Sequence, residues 1–145
     1  METPLPQDPL SMTDPIDIAP AVALAQALDR EDYPLARRRL RDDCIYQIRG
    51  EVIHGAEAII DSYRSAGDGG RERFDSLSFE SKVHEIGRGQ ARIDYTDIVT
   101  RSGDQHVHRC SQVVEIGDDG LISRIEHVDL DGEREALEAF KASHP

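Results

Sequence analysis

The segment that decides the fold is FDSLSFESKVHEIGRGQARIDYTDIVTRSGDQHVHRCSQVVEIGDDGLISRIEHVDL, residues 74–130, in which apolar and polar residues alternate. Successive side chains of a strand point to opposite faces of a sheet, so a period of two is typical of strands with one buried face. Glycine-containing turns interrupt the alternation at residues 87–89, 102–104 and 117–120. The segment therefore predicts four long strands that follow one another as an antiparallel meander.

Helical patterns surround this segment. Apolar residues recur at spacings of three and four before it, and turn and capping residues divide them into separate elements. The predicted elements are a helix over residues 17–29, a short basic helix after Asp32, a strand over residues 44–48, a helix that begins after Gly55 and stops at the glycine-rich residues 67–70, and a short charged helix over residues 132–143.

This order predicts an α+β fold. Helices that precede an antiparallel sheet cover only one of its faces. We expect a cone-shaped domain, in which a strongly curved antiparallel sheet carries the N-terminal helices on its concave face and encloses a hollow suited to a ligand. The domain should span residues 17–143. Residues 1–16 contain four prolines and no hydrophobic period, so they are predicted to be a disordered N-terminal tail.

Composition limits the classes of partner. The chain has 29 acidic and 17 basic residues and a formal net charge of −12, which repels nucleic acid and anionic lipid. No apolar run approaches the roughly 20 residues that span a bilayer, and the first ten residues do not resemble a signal peptide. We therefore expect a cytoplasmic protein that binds a small apolar or partly polar molecule. Cys44 and Cys110 lie in apolar runs and are expected to be packed free thiols.

Strand pairing predicts which side chains enter the hollow. A two-residue turn at residues 103–104 sets Val99 opposite His108, and the next turn sets His127 opposite Cys110 or Gln112. A one-residue slip or a bulge would invert the two faces. The face predicted to point inward contains Ala91, Ile93, Tyr95, Asp97, Val99, His108, Cys110, Gln112, Val114, Ile125 and His127; the outer face contains Arg92, Asp94, Thr96, Arg109, Glu115, Arg124 and Glu126.

The polar members of the inner face are the candidate site. Histidine titrates near neutrality and a neighbouring carboxylate fixes its tautomer, so Asp97, His108 and His127 are the candidate catalytic residues. Phenol hydroxyls donate hydrogen bonds to carbonyl or hydroxyl oxygens. The candidate substrate-binding residues are Asp29, Tyr46, Tyr63, Tyr95, Cys110 and Gln112.

A metal site is the weaker interpretation of the same segment. His106 and His108 lie two residues apart on one strand face, and Asp97 or His127 would complete a set of two histidines and one carboxylate. His106 is close to the turn and is expected to be exposed, so no metal is predicted. His84 and His144 are also expected to face water.

Two segments, ALDREDYPLARRRLRDDCIYQIRGEVIHGAEAIIDSYR (residues 27–64) and DGLISRIEHVD (residues 119–129), resemble the nuclear transport factor 2-like superfamily in its SnoaL-like branch. The resemblance covers roughly residues 18–140. It implies the cone-shaped fold and a homodimer through the outer face of the sheet. The superfamily includes ketosteroid isomerase, scytalone dehydratase and limonene-epoxide hydrolase together with domains that only bind or dimerise, so the fold does not fix the function.

Individual residues match these relatives in part. Asp29 stands where the dehydratases have an aspartate that pairs with a catalytic histidine, but that histidine is not found on the first meander strand. Tyr46 resembles the hydrolase tyrosine, while Ile48 replaces the expected asparagine. His127 replaces an acidic residue of the last strand, and Arg92 and Asp94 resemble a hydrolase strand motif. The resemblance implies a lyase, isomerase or hydrolase without a cofactor, or a non-catalytic ligand-binding or dimerisation module.

Overall fold

The computed structural model describes the backbone of residues 8–145 and the side chains from residue 18 onward. Six strands form one sheet in the order β2-β1-β6-β5-β4-β3. Along the chain the elements are α1 (Asp8–Asp29), α2 (Tyr33–Arg38), β1 (Leu40–Ile48), β2 (Glu51–His54), α3 (Ala56–Arg73), β3 (Ser76–Gly87), β4 (Gln90–Arg101), β5 (Asp104–Ile116), β6 (Ile122–Asp129) and α4 (Glu133–Ser143).

The predicted α+β class and the four-stranded meander are confirmed. Helix α1 packs on β3, β4 and β5, and α3 packs on β1, so the helices cover one face of the sheet. The sheet is mixed rather than wholly antiparallel, because β1 lies parallel to β6. Parallel neighbours need a long crossover connection, and here β2, α3 and the first three meander strands provide it.

The N-terminal boundary differs from the sequence pattern. Helix α1 begins at Asp8, not near Asp17, so residues 8–16 of the predicted tail belong to this helix. Residues 1–7 lie outside the described part of the chain. The pattern did not predict this extension because residues 8–16 show no helical spacing of apolar residues.

Helix α3 continues through the glycines that were expected to stop it. A Cβ atom at Gly67 would lie 2.9 Å from Oε2 of Glu31 and 3.0 Å from the hydroxyl oxygen of Tyr33, and one at Gly70 would lie 2.7 Å from Cδ2 of Leu77. These glycines therefore let the helix approach its neighbours closely, which is a reason for glycine inside a helix despite its low propensity.

Strand β2 was not predicted. It pairs with β1 through a tight turn in which Arg49 has φ = 48° and Gly50 has φ = 81°. Two consecutive residues with positive φ are typical of a two-residue hairpin turn. The turn fixes the position of the Arg49 side chain at the end of β1.

The register between β4 and β5 differs from the prediction by two residues but keeps its parity. The turn is Ser102-Gly103, and both residues have positive φ, at 55° and 85°. Asp97 therefore lies opposite His108, where Val99 had been expected. A shift of two residues leaves every side chain on its predicted face. Between β5 and β6, Gln112 pairs with His127, which confirms one of the two predicted alternatives.

The core lies between the helices and the inner face of the sheet. Both cysteines are free thiols, and Cys44 is buried. No helix in residues 8–145 is long and apolar enough to cross a membrane. The largest fully buried side chains are Leu24, Leu40, Ile59, Ile93, Ile122, Ile125, Val114 and Cys44.

Candidate active site

A cavity of about 650 Å³ lies between the helices and the inner face of the sheet. Its walls come from the end of α1, from α3 and α4, and from the strands of both halves of the sheet. The nine residues selected from the sequence all line it: Asp29, Tyr46, Tyr63, Tyr95, Asp97, His108, Cys110, Gln112 and His127.

The residue pair that resembles the hydrolase motif faces away from this cavity. Arg92 Nε donates to Oδ1 of Asp94 at 2.9 Å, and both residues line a separate depression on the outer face. Ser111 Oγ donates to the same carboxylate at 2.7 Å, and Nε2 of His84 lies 3.0 Å from its Oδ2. His84 is exposed, as predicted, but it contacts this carboxylate.

Two carboxyl groups and a tyrosine form the acidic part of the cavity wall. Burial and the neighbouring charge of Asp29 raise the pKa of Asp97 to about 6, because an apolar environment and a like charge both disfavour the ionised form. Burial also raises the pKa of Asp29, whose Oδ2 accepts a hydrogen bond from Ser81 Oγ at 2.6 Å. The Tyr95 hydroxyl is buried and has no hydrogen-bond partner within the described part of the chain.

His108 lies on β5 directly opposite Asp97. Burial lowers the pKa of His108, so its imidazole is neutral at neutral pH. Its Nδ1 atom is buried without a hydrogen-bond partner among the described residues, and lies 3.9 Å from Oε1 of Glu133. An imidazole with a free ring nitrogen beside an unpaired carboxyl group is suited to proton transfer.

A continuous set of hydrogen bonds forms another part of the cavity wall. Tyr63 donates to Oε1 of Gln112 at 2.7 Å, and Nε2 of Gln112 donates to the Tyr46 hydroxyl oxygen at 3.0 Å. The same Nε2 lies 3.3 Å from Nδ1 of His127, whose Nε2 lies 3.0 Å from Oδ1 of Asp129. The two tyrosine rings stack, with their centroids 5.5 Å apart.

The catalytic role of His127 stays a prediction. Nδ1 of its ring contacts the amide of Gln112 and Nε2 contacts the carboxylate of Asp129, whereas Asp97 has no such partner among the described residues. Asp97 is the better candidate for a proton-transferring group. Asp129 was missed by the sequence reasoning, although it follows His127 by two residues and so lies on the same strand face.

Helix α4 covers one side of the cavity through Leu137 and Lys141. Phe140 anchors it by stacking on His106 at 5.3 Å and on His144 at 4.2 Å, measured between ring centroids. Nε2 of His144 also lies 2.8 Å from Oδ2 of Asp104. Both histidines were expected to face water, and this was wrong because α4 packs over the end of β5.

Shortening Phe140 to alanine should loosen this helix. Phe140→Ala removes the aromatic contacts of α4 and is expected to cost about 2 kcal/mol, less than for a fully buried phenylalanine. Backbone amides of residues 133–143 should exchange with deuterium several times faster, as measured by mass spectrometry. Glu138→Ala, which removes only an exposed ion pair with Lys141, is the control. Unchanged exchange in Phe140→Ala would contradict this view of α4.

The histidine pair considered for metal binding does not form a ligand set. Among the described residues, no three His, Cys, Asp or Glu side chains come together in an arrangement that would hold an ion. His106 packs on α4 while His108 lines the cavity, so the two rings serve different surroundings.

No protein-family model and no curated protein matches the chain. Solved structures match most of its length at low identity. TerC co-crystallised with polyporic acid shares 13% identity, with 87% of this chain and 98% of that chain covered and a TM-score of 0.65. An LEH-like epoxide hydrolase from Mycobacterium tuberculosis shares 22% identity over 84% of each chain, with a TM-score of 0.60.

A second Mycobacterium tuberculosis protein, in complex with estradiol-17β-hemisuccinate, shares 11% identity over 81% of this chain and 95% of that chain, with a TM-score of 0.60. Other matches are described as nuclear transport factor 2-like and as cystatin-fold proteins. The chain therefore has the nuclear transport factor 2-like fold, as the sequence predicted. Identities of this size show the fold and not the activity.

Proposed function

We propose that the protein is a small-molecule enzyme in which Asp97 transfers a proton to and from a mostly apolar substrate. One observation carries this proposal: Asp97 lies on the cavity wall with Asp29, and no described residue hydrogen-bonds its carboxyl group or pairs with it. A structural carboxylate is normally paired or hydrogen-bonded. An unpaired one that titrates near neutrality is suited to acid/base catalysis.

The surroundings of Asp97 suggest the type of reaction. The carboxylate would take a proton from a carbon next to a carbonyl group, as the C–H bond breaks and its electron pair moves toward the carbonyl oxygen. A hydroxyl of Tyr46 or Tyr95 would donate a hydrogen bond to that oxygen. The protonated Asp97 would then return the proton to another carbon, giving an isomerase, or to a departing hydroxyl group, giving a lyase. His108 would assist as a neutral partner.

The size and lining of the cavity favour a substrate of moderate size. A volume of about 650 Å³ lies within the usual range for small-molecule sites, and the wall combines apolar side chains with a few polar groups. Two structures with the same fold hold polyporic acid and estradiol-17β-hemisuccinate. These ligands support a cavity that takes a largely apolar molecule bearing several oxygen atoms.

An exchange assay tests the proposal. Wild-type protein is incubated in D₂O with a panel of cyclic ketones and enones, and incorporation of deuterium next to the carbonyl is followed by NMR. Asp97→Asn should lower the exchange rate by roughly 10²- to 10⁴-fold. Asp94→Asn is the matched control, because it lies on the same strand but faces outward, and it should leave the rate unchanged.

Binding without exchange would favour the alternative of a non-catalytic ligand-binding module. Thermal shift with estradiol-17β-hemisuccinate and polyporic acid measures binding separately. The enzyme is rejected and the binding module is kept if the wild type binds a probe but shows no exchange. The same holds if the wild type binds a probe and Asp97→Asn exchanges deuterium at the same rate as the wild type. If the protein shows neither probe binding nor deuterium exchange, both the enzyme and the binding module are rejected.

A homodimer and a cytoplasmic location remain proposals. Val128 and Leu130 are exposed apolar residues that line the depression on the outer face of the sheet. An exposed apolar patch of this kind favours association through that face. Light scattering of the purified protein would measure the mass, and a monomer at micromolar concentration would contradict the dimer.

A further inference from the structure

A single carboxylate ends the hydrogen-bonded wall of the cavity. Arg49 holds Asp129 with two parallel hydrogen bonds, from Nε to Oδ2 and from a terminal nitrogen to Oδ1, each of 2.8 Å. Two parallel bonds between arginine and a carboxylate fix both position and orientation. Arg49 itself sits in the β1–β2 turn with positive φ, which favours glycine, so a non-glycine residue here suggests a use for its side chain.

The charge of Asp129 determines the tautomer of His127. Burial alone would raise the pKa of Asp129, but hydrogen bonds from Arg49 and His127 hold this pKa below its usual value. The Asp129 carboxylate is therefore ionised and can only accept hydrogen bonds. Nε2 of His127 must therefore carry the hydrogen. Burial lowers the pKa of His127 and keeps the ring neutral, so Nδ1 is an acceptor.

The tautomer in turn determines how the Gln112 amide is oriented. A nitrogen that accepts needs a donor, so the amide NH₂ faces His127 and the amide oxygen faces Tyr63, which donates to it. The second N–H of the amide donates to the Tyr46 oxygen. The Tyr46 hydroxyl thus accepts from Gln112, and no acceptor among the described residues takes its own hydrogen. The Tyr46 side chain lines the cavity.

We propose that Asp129, held by Arg49, is a positioning residue that acts through His127 and Gln112 to turn the Tyr46 hydroxyl hydrogen into the cavity, where it donates to a carbonyl or anionic oxygen of the ligand. This inference rests on the proposed function, because it takes the cavity as a ligand site. It goes further in assigning Tyr46 as a donor, in selecting ligands that present an oxygen acceptor at this wall, and in naming Asp129 and Arg49 as the pair that sets this preference.

The tautomer is measured directly. Long-range ¹H–¹⁵N NMR of the imidazoles should show the His127 hydrogen on Nε2 in the wild type and in Asp129→Glu, which keeps a carboxylate. Asp129→Ala removes the acceptor that fixes this choice, and its spectrum should move toward a mixture of the two tautomers. A wild-type His127 protonated on Nδ1 would overturn the proposal, whether or not the protein is an enzyme.

The donor is measured with 4-(dimethylamino)cinnamaldehyde, a neutral apolar probe whose absorbance moves to longer wavelength when its carbonyl oxygen accepts a hydrogen bond. The bound probe should show this shift with the wild type and lose it with Tyr46→Phe. Asp129→Ala should reduce the shift and weaken binding about tenfold, the usual effect of one hydrogen bond. Asp104→Ala, which removes a comparable aspartate–histidine contact far from Tyr46, is the control.

A double variant separates positioning from a general structural role. If Asp129 acts through the Tyr46 hydroxyl, Tyr46→Phe with Asp129→Ala should bind the probe like Tyr46→Phe alone. Additive losses would overturn the proposal while leaving the Asp97 exchange result intact. If Asp129→Ala does not fold, Asp129→Asn takes its place, because it keeps the shape of the side chain but removes the charge that fixes the His127 tautomer. Absence of any wavelength shift with folded wild-type protein would also overturn it.

Discussion

Asp97→Asn should make the protein more stable at pH 8, by on the order of 3 kcal/mol. The pKa of Asp97 is raised from 3.8 to about 6 in the folded protein, so the folded state binds this proton more tightly than the unfolded state does. The stability that this bound proton contributes is therefore lost as pH rises from about 4 through about 6. Each unit of difference between the folded and unfolded pKa values is worth about 1.4 kcal/mol. An amide of the same shape carries no charge and avoids this loss.

Chemical denaturation at pH 5 and pH 8 measures the effect. The wild type should lose stability between these values relative to Asp97→Asn, and the two should converge toward pH 4. Asp94→Asn should behave in the opposite way. Burial alone would raise the pKa of Asp94, but hydrogen bonds from Arg92 and Ser111 hold this pKa below its usual value. The Asp94 carboxylate therefore stabilises the folded protein at neutral pH, and Asp94→Asn should lower the free energy of unfolding there. A loss of stability in Asp97→Asn at pH 8 would show that this carboxylate has a partner.

Gln112→Leu should lower the free energy of unfolding by about 3 kcal/mol or more. Gln112 is 3% exposed, and its amide contacts Tyr46, Tyr63 and His127. Leucine fills a similar volume but leaves these polar groups without partners, and each buried polar group left unsatisfied costs about 1–3 kcal/mol. The adjacent variant Ser111→Ala loses one hydrogen bond on the outer face and should cost about 1 kcal/mol.

Urea denaturation compares these variants, and a second substitution tests the physical reason. Tyr63→Phe in the Gln112→Leu background removes a hydroxyl that has lost its acceptor, so it should restore part of the stability. In the wild-type background the same change removes a satisfied hydrogen bond and should destabilise. Equal effects of Tyr63→Phe in both backgrounds would contradict the coupling between these two side chains.

The sequence predicted the faces of Asp97 and His108 but not the register of their two strands. Alternation along β4 and β5 placed Asp97 and His108 on the inner face, and the structure has both in the cavity wall. The pattern also placed Val99 opposite His108, and this was wrong because the turn is Ser102-Gly103. Parity survived because the side-chain period of a strand is two, so a shift of two residues changes neighbours but not faces.

The sequence pattern did not predict where α3 ends or which distant segments contact one another. The glycines of α3 were expected to end that helix, but Gly67 lies against Glu31 and Tyr33 and permits close packing instead. Strand pairing placed Gln112 opposite His127, but only the folded chain shows that Gln112 and Asp129 contact the two ring nitrogens of His127. The contacts of Gly67 with Glu31 and Tyr33 join residues far apart in the chain, for which local spacing carries no signal.

By itself, the sequence determined the α+β class, the meander and the face on which each strand side chain lies. Local hydrophobic periodicity is enough to predict these features, because a strand with one buried face has an apolar residue at every second position. Only the tertiary structure decided which polar groups of that face are free and which are engaged. Among the described residues the Asp97 carboxyl group has no hydrogen-bond partner, while the His127 ring contacts both Gln112 and Asp129. A hydrogen bond depends on the positions of both partners to within a few tenths of an ångström, which spacing along the chain does not determine.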